Sequence, residues 1–224
     1  MRCRKFPVFH QSATVIRLAV LSLALMFVSA AVVARADDDG AMVRWDIISL
    51  QFNAGGPGIH AINPGGVAFA QAPNHVPPNV PFRIKLTGSG TFPARRGPSN
   101  DVTGGGTWET FNQNGVSTGF GTYRVTGLAS WEFDSFQTPG FIDNIADAST
   151  RANGNAVLRI RYSDGSRGVL LVGCHGPGAS NGIVEGVGAS KNQVTYWSIE
   201  QPPPGQVDRN RTLFHVLPDD DDDK

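Results

Sequence analysis

The sequence predicts an all-β fold, a single-domain antiparallel β-barrel or β-sandwich of about ten short strands with long loops. Three observations predict it. The phrase Thr-Gly-x-Gly-Thr-aromatic occurs at Thr87–Phe92, Thr103–Trp108 and Thr118–Tyr123. Asn114-Gly115 and Asp164-Gly165 each stand between strand-like runs, where such a dipeptide marks a hairpin because both residues tolerate positive φ. No stretch beyond the N-terminal leader shows the apolar spacing of an amphipathic helix.

In chain order, β-branched and aromatic runs bounded by Gly, Pro, Asn and Asp place strands at 43–52, 66–70, 82–94, 106–112, 116–125, 128–133, 156–162, 168–174, 193–199 and 212–217. Residues 134–155, 175–192 and 200–211 read as long loops, where sites usually lie on a β scaffold.

A two-residue turn at Asn114-Gly115 sets Gln113 opposite Val116, and then Phe111 opposite Thr118, Glu109 opposite Phe120, Trp108 opposite Gly121 and Gly106 opposite Tyr123. Each large ring meets a glycine, whose missing side chain it fills. The face carrying Gly106, Trp108, Thr110, Gly119, Gly121 and Tyr123 is the expected core, and the opposite face carries Glu109, Phe120 and Arg124. The alternative use of Trp108 and Tyr123 is as ligand-binding platforms on which sugar rings stack. A matching turn at Asp164-Gly165 sets Ile160 opposite Val169 and Leu158 opposite Leu171 on a core face. Arg159 and Arg161 then project together from the other face, either as a clamp for a carboxylate or sulfate or as a solvated surface that keeps the sheet from sticking.

Residues 1–36 read as an export signal, with Arg2, Arg4 and Lys5, the apolar run Leu18–Ala34, and a small-x-small cleavage site at Ala34-Arg35-Ala36. The mature domain would span 37–218, outside the cytoplasm, secreted or periplasmic, with no stable membrane span after signal cleavage. Five of the nineteen basic residues and none of the nineteen acidic ones lie in the signal, so the remainder carries −5. Residues 219–224, an acidic tail that resembles an enteropeptidase site, hold −4 of this. The body is near neutral, and nucleic acid is not an expected partner.

Little in the sequence points to chemistry. Cys174 is the single thiol left after cleavage and cannot form an internal disulfide. Its neighbour His175 would point to the opposite face of a strand, so Cys174 reads as a buried apolar residue rather than a nucleophile. The histidines are scattered, giving no metal site, and Asp143 with Asp147 supplies too few carboxylates for calcium. No cofactor motif occurs. Glu109 with Glu132 or Asp134 is the nominal carboxylate pair for glycoside chemistry.

In composition, residues 86–131 resemble small secreted β-barrels of the dirigent and allene-oxide-cyclase kind. The resemblance implies a barrel and carries no individual residue across. The expectation is a secreted protein that binds a carbohydrate or a small apolar ligand without turning it over. The alternatives are an enzyme, either a glycan-active hydrolase or a barrel-type lyase or cyclase, and a structural or envelope-associated protein.

Overall fold

The computed structural model describes residues 40–55, 58–72, 82–138, 140–198 and 209–218. The expected export signal, the run Pro202-Pro203-Pro204 and the acidic tail lie outside the described residues. The described residues form strands β1 (Met42–Phe52), β2 (Ile59–Pro64), β3 (Ala68–Gln71), β4 (Arg83–Leu86), β5 (Ser89–Pro93), β6 (Gly105–Phe111) and β7 (Ser117–Phe136). They continue with β8 (Ile142–Asp143), β9 (Arg151–Tyr162), β10 (Arg167–Cys174), β11 (Gly186–Lys191), β12 (Val194–Ser198) and β13 (Arg211–Leu217). Among the described residues a 3-10 turn at Ala148–Thr150, capped by Asp147, interrupts the strands.

The fold is all-β, and its ladder closes. From β9 the antiparallel pairing runs through β10, β11, β12, β3, β4, β6 and β7 and returns to β9, a ring of eight strands. An outer layer continues from β9 through β13 to β1 and β2, while β5 pairs with β1 and touches β6 at Ser89. β7 serves both layers, and three register shifts against β9 let so long a strand bend.

Closure turns alternate side chains inward. Ile84 and Leu86, Trp108, Tyr123, Leu158 and Ile160, Leu170 and Val172, and Val187 fill the ring. Between the layers, Trp131 packs on Phe92 and Phe214, with centroids 5.4 and 4.7 Å away. At one end Lys191 is buried over the rings of Trp108 and Tyr162, at 4.1 and 4.4 Å, and pairs with Asp164.

The first hairpin pairs Glu109 with Phe120, Trp108 with Gly121 and Gly106 with Tyr123, as the sequence predicts, but Phe111 pairs with Ser117 rather than Thr118. The loop has three residues, not two: the Asn112 N–H donates to the Val116 carbonyl, the Asn112 side chain caps the turn, and Gly115 takes φ +74°. A bulge after Thr110 absorbs the extra residue and restores the register.

The second hairpin has the same loop, with Gly165 at φ +88°, and no bulge to compensate. Leu158 therefore faces Leu170, and Ile160 faces Gly168, correcting the predicted partners by one residue. That slip moves Val169 and Leu171 from the expected core to the outer face, beside Arg159 and Arg161.

Candidate functional site

Trp108 and Tyr123 offer no exposed platform: both rings are buried, Trp108 only 5 % exposed. The Trp108 indole N–H donates to the Thr122 carbonyl at 3.1 Å, and the Tyr123 hydroxyl donates to the Thr87 carbonyl at 2.8 Å. The nominal carboxylates do not meet. Glu109 pairs across strands with Phe120 and is ion-paired to Lys85, whereas Glu132 lies twelve residues farther along β7 than Phe120, about 40 Å of strand at ordinary rise. Asp134 accepts the Ser180 N–H at 2.9 Å. Asp143 and Asp147 are likewise committed, to Arg151 and to the cap of the 3-10 turn. Arg159 and Arg161 are exposed on the barrel exterior.

A cavity of about 660 Å³ lies where the outer layer crosses the end of the barrel. β1 and β2 give it an apolar wall of Ile48, Leu50, Phe52, Ile59 and Ile62, and Phe141 and Leu213 extend that wall. Its polar groups converge from four segments: Gln137 after β7, Cys174 and His175 at the end of β10, Glu185 just before β11, and Arg211 and Thr212 of β13. A mostly apolar wall with a few converging polar groups is the usual form of a small-molecule site.

Glu185 is its chemical centre. The carboxylate is buried, accepting the His175 N–H at 2.7 Å and the Thr212 N–H at 2.8 Å. Burial pushes its pKa up to about 7, against the pull of those two N–H groups and the Arg211 charge. The folded carboxyl thus holds a proton that the unfolded chain releases near 4.5. Stability from this group is full below pH 4.5 and falls as pH rises to about 7, by on the order of 3 kcal/mol. The buried His215 imidazole, with a lowered pKa, acts in the opposite sense, losing stability as pH falls below 6.5. Urea melts across pH 4–8 should therefore show a Glu185→Gln protein gaining stability relative to its parent as pH rises; parallel curves would refute the raised pKa.

Cys174 is free and buried. Burial and the nearby Glu185 charge raise its pKa well above the ordinary thiol value, so at neutral pH it is a thiol, accepting a hydrogen bond from the Gln137 amide at 3.2 Å. The His175 ring turns away, its Nδ1 within 2.7 Å of the Ile183 carbonyl, so the two neighbours form no dyad. Asn153, fully buried, pins the loop after them by accepting the Gly176 N–H at 2.7 Å and donating to the Pro177 carbonyl at 3.2 Å.

Behind the Phe141 wall sits a buried charged cluster. Arg151 lies 4.4 Å from the Phe141 ring centroid, donates to the Phe141 carbonyl at 3.0 Å and pairs with Asp143 at 3.1 Å. His215 is 3.5 Å from the same carboxylate oxygen and 2.9 Å from the Thr150 hydroxyl.

The sequence reading missed Glu185, Gln137 and Thr212 as site residues. The available signal was Glu185 itself, one acid inside the apolar small-residue run Ile183–Ala189, a composition that also hid β11 within an expected loop.

Comparison with known families, characterised proteins and solved structures finds no match for this chain. Among the described residues no cluster of three or more His, Cys, Asp or Glu could hold a metal ion, and no helix is long and apolar enough to cross a membrane.

Proposed function

We propose that this protein, exported behind its N-terminal signal, binds a small and largely apolar ligand in the cavity between the outer layer and the barrel end. The observation that carries this is the Glu185 carboxyl at the floor of an apolar wall. Poised near pH 7, it either donates or accepts a hydrogen bond, so it suits a neutral polar head such as a hydroxyl or amide. Of the two expected ligand classes, the cavity favours the apolar one, because its walls are aliphatic and Phe side chains with few polar partners for a sugar's hydroxyls.

A thermal-shift series of medium-chain alcohols, amides, acids and amines tests this. Neutral heads should raise the melting midpoint with concentration, and Leu50→Trp, which fills the cavity from β1, should abolish the response. No shift with any member, or an unchanged response in Leu50→Trp, would overturn the proposal.

One observation favours turnover as a second reading: a carboxyl near pH 7 is suited to general acid–base work. In that case Glu185→Gln would abolish turnover of a bound substrate while retaining its binding.

A further inference from the structure

We infer that the outer face of the barrel carries a second binding site, for an anionic polysaccharide bearing sulfate or carboxylate groups. The juxtaposition comes from strand register. Arg124 of β7 lies directly opposite Arg161 of β9, and Arg161 lies directly opposite Arg167 of β10. Arg159 follows two residues along β9, on the same face. Four arginines from three adjacent strands thus surround one depression of about 580 Å³, floored by Thr126, Gly168 and Val169. All four are exposed, and no acidic residue lines the depression. None of the ion pairs among the described residues involves any of them; Arg159 alone donates a hydrogen bond, to Asn100 at 3.4 Å.

A sheet exterior that needs only solubility does not require this arrangement, since like charges directly opposite on neighbouring strands repel and solvated surfaces intersperse both signs. The same barrel shows the ordinary solution nearby, where Lys85 of β4 lies opposite Glu109 of β6 and pairs with it. The arginine row is a concentrated positive field whose planar forks match the two oxygens of a carboxylate or sulfate.

The neighbouring groove identifies the class of anion. It shares Val169 with the arginine depression and runs across β11 to Trp197 of β12, about 10 Å over two strand spacings. Trp197 is 62 % exposed, and Gly188 leaves the floor beside it without a side chain. An exposed indole beside bare backbone is a stacking platform for a flat ring face. A glycan with charged substituents engages both halves, its oxyanions on the arginines and a sugar ring on Trp197. A long phosphodiester track is less well matched: without residues 1–36 the chain carries −5, and the residues outside the acidic tail are close to neutral. This site is independent of the Glu185 cavity.

The test is binding of fluorescently labelled heparin, polygalacturonate, neutral dextran and a single-stranded DNA oligomer to the protein at two salt concentrations. One or both anionic glycans should bind, more weakly at high salt, and dextran should not. Arg124→Gln/Arg161→Gln/Arg167→Gln should lower glycan affinity by about tenfold or more, with the fold retained by circular dichroism. Should the triple variant fail to fold, Arg161→Gln alone supplies the same comparison with a smaller loss. Trp197→Ala should weaken glycan binding without changing binding of inorganic sulfate, and Glu185→Gln should change neither. Glycan binding unaffected by the arginine substitutions, equal binding of dextran, tighter binding of DNA than of either glycan, or binding of sulfate with no gain from the polymer would each overturn the inference.

Discussion

Trp108→Ala should destabilise the protein by about 3–5 kcal/mol, the range of a buried aromatic truncation. The indole is buried against Tyr162 at a centroid distance of 5.6 Å, edge to face, and lies beneath the Lys191 ammonium. It also occupies the space left by two glycines. A Cβ at Gly119 would lie 3.2 Å from the indole, and one at Gly121 would lie 3.1 Å from it and 2.3 Å from the Ser163 hydroxyl. Gly121→Val should therefore destabilise as well, by overpacking the same volume. The double variant should lose less than the sum, because the two residues share one contact. Urea denaturation of the three proteins measures all of this, and a Trp108→Ala protein as stable as its parent would show that the ring does not hold the barrel interior together.

Asp143→Ala should cost a similar amount, about 3–5 kcal/mol, for an electrostatic reason. Arg151 is 0 % exposed, and Asp143 supplies its counter-charge. Removing the carboxylate strands a guanidinium in the interior and leaves the Ile145 N–H without its acceptor at 2.9 Å. Asp143→Ala/Arg151→Met should recover most of the loss, since neither charge then remains buried. A cost below about 1 kcal/mol for Asp143→Ala would mean that the guanidinium finds water instead. Because Arg151 also holds the ring and carbonyl of Phe141, the single variant should weaken ligand binding in the cavity alongside stability.

The all-β fold was legible in the sequence where side chains alternate strongly, though not the choice of barrel over sandwich. Trp108 and Tyr123 opposite Gly121 and Gly106 gave both the pairing and the inward face, and the register survived an error in the turn because a bulge cancelled it. At Asp164-Gly165 the same misread loop had no compensating bulge, and a single-residue slip exchanged the faces of β10. β11 was hidden because Gly186, Gly188 and Ala189 pair and bury without the β-branched signature of a strand. β2 was hidden by its Pro64. Neither site is contiguous in sequence. Glu185, Gln137 and Thr212 meet only because the outer layer folds over the barrel end, and Arg124 and Arg167 join Arg161 only through ladder register.

The ring of strands is not closed with equal strength around its circumference. β9 meets β10 over eight residue pairs, whereas β12 meets β3 over two, Trp197 with Gln71 and Ser198 with Ala70. Trp197 and Gln71 are also 126 positions apart (197 − 71), the widest sequence separation of any pairing in the ring of eight, so their meeting carries its largest loop-closure entropy. The seam is therefore expected to form after the β7–β9–β10 pairings and to open before them. Amide hydrogens of Gln71 and Trp197 should exchange with solvent ahead of those of Leu158 and Leu170, and a seam as protected as β9 would contradict this order. Trp197, the platform of the exterior groove, is itself one of the seam residues, so a sugar ring stacked on it would rest on the strand whose outer edge is held least.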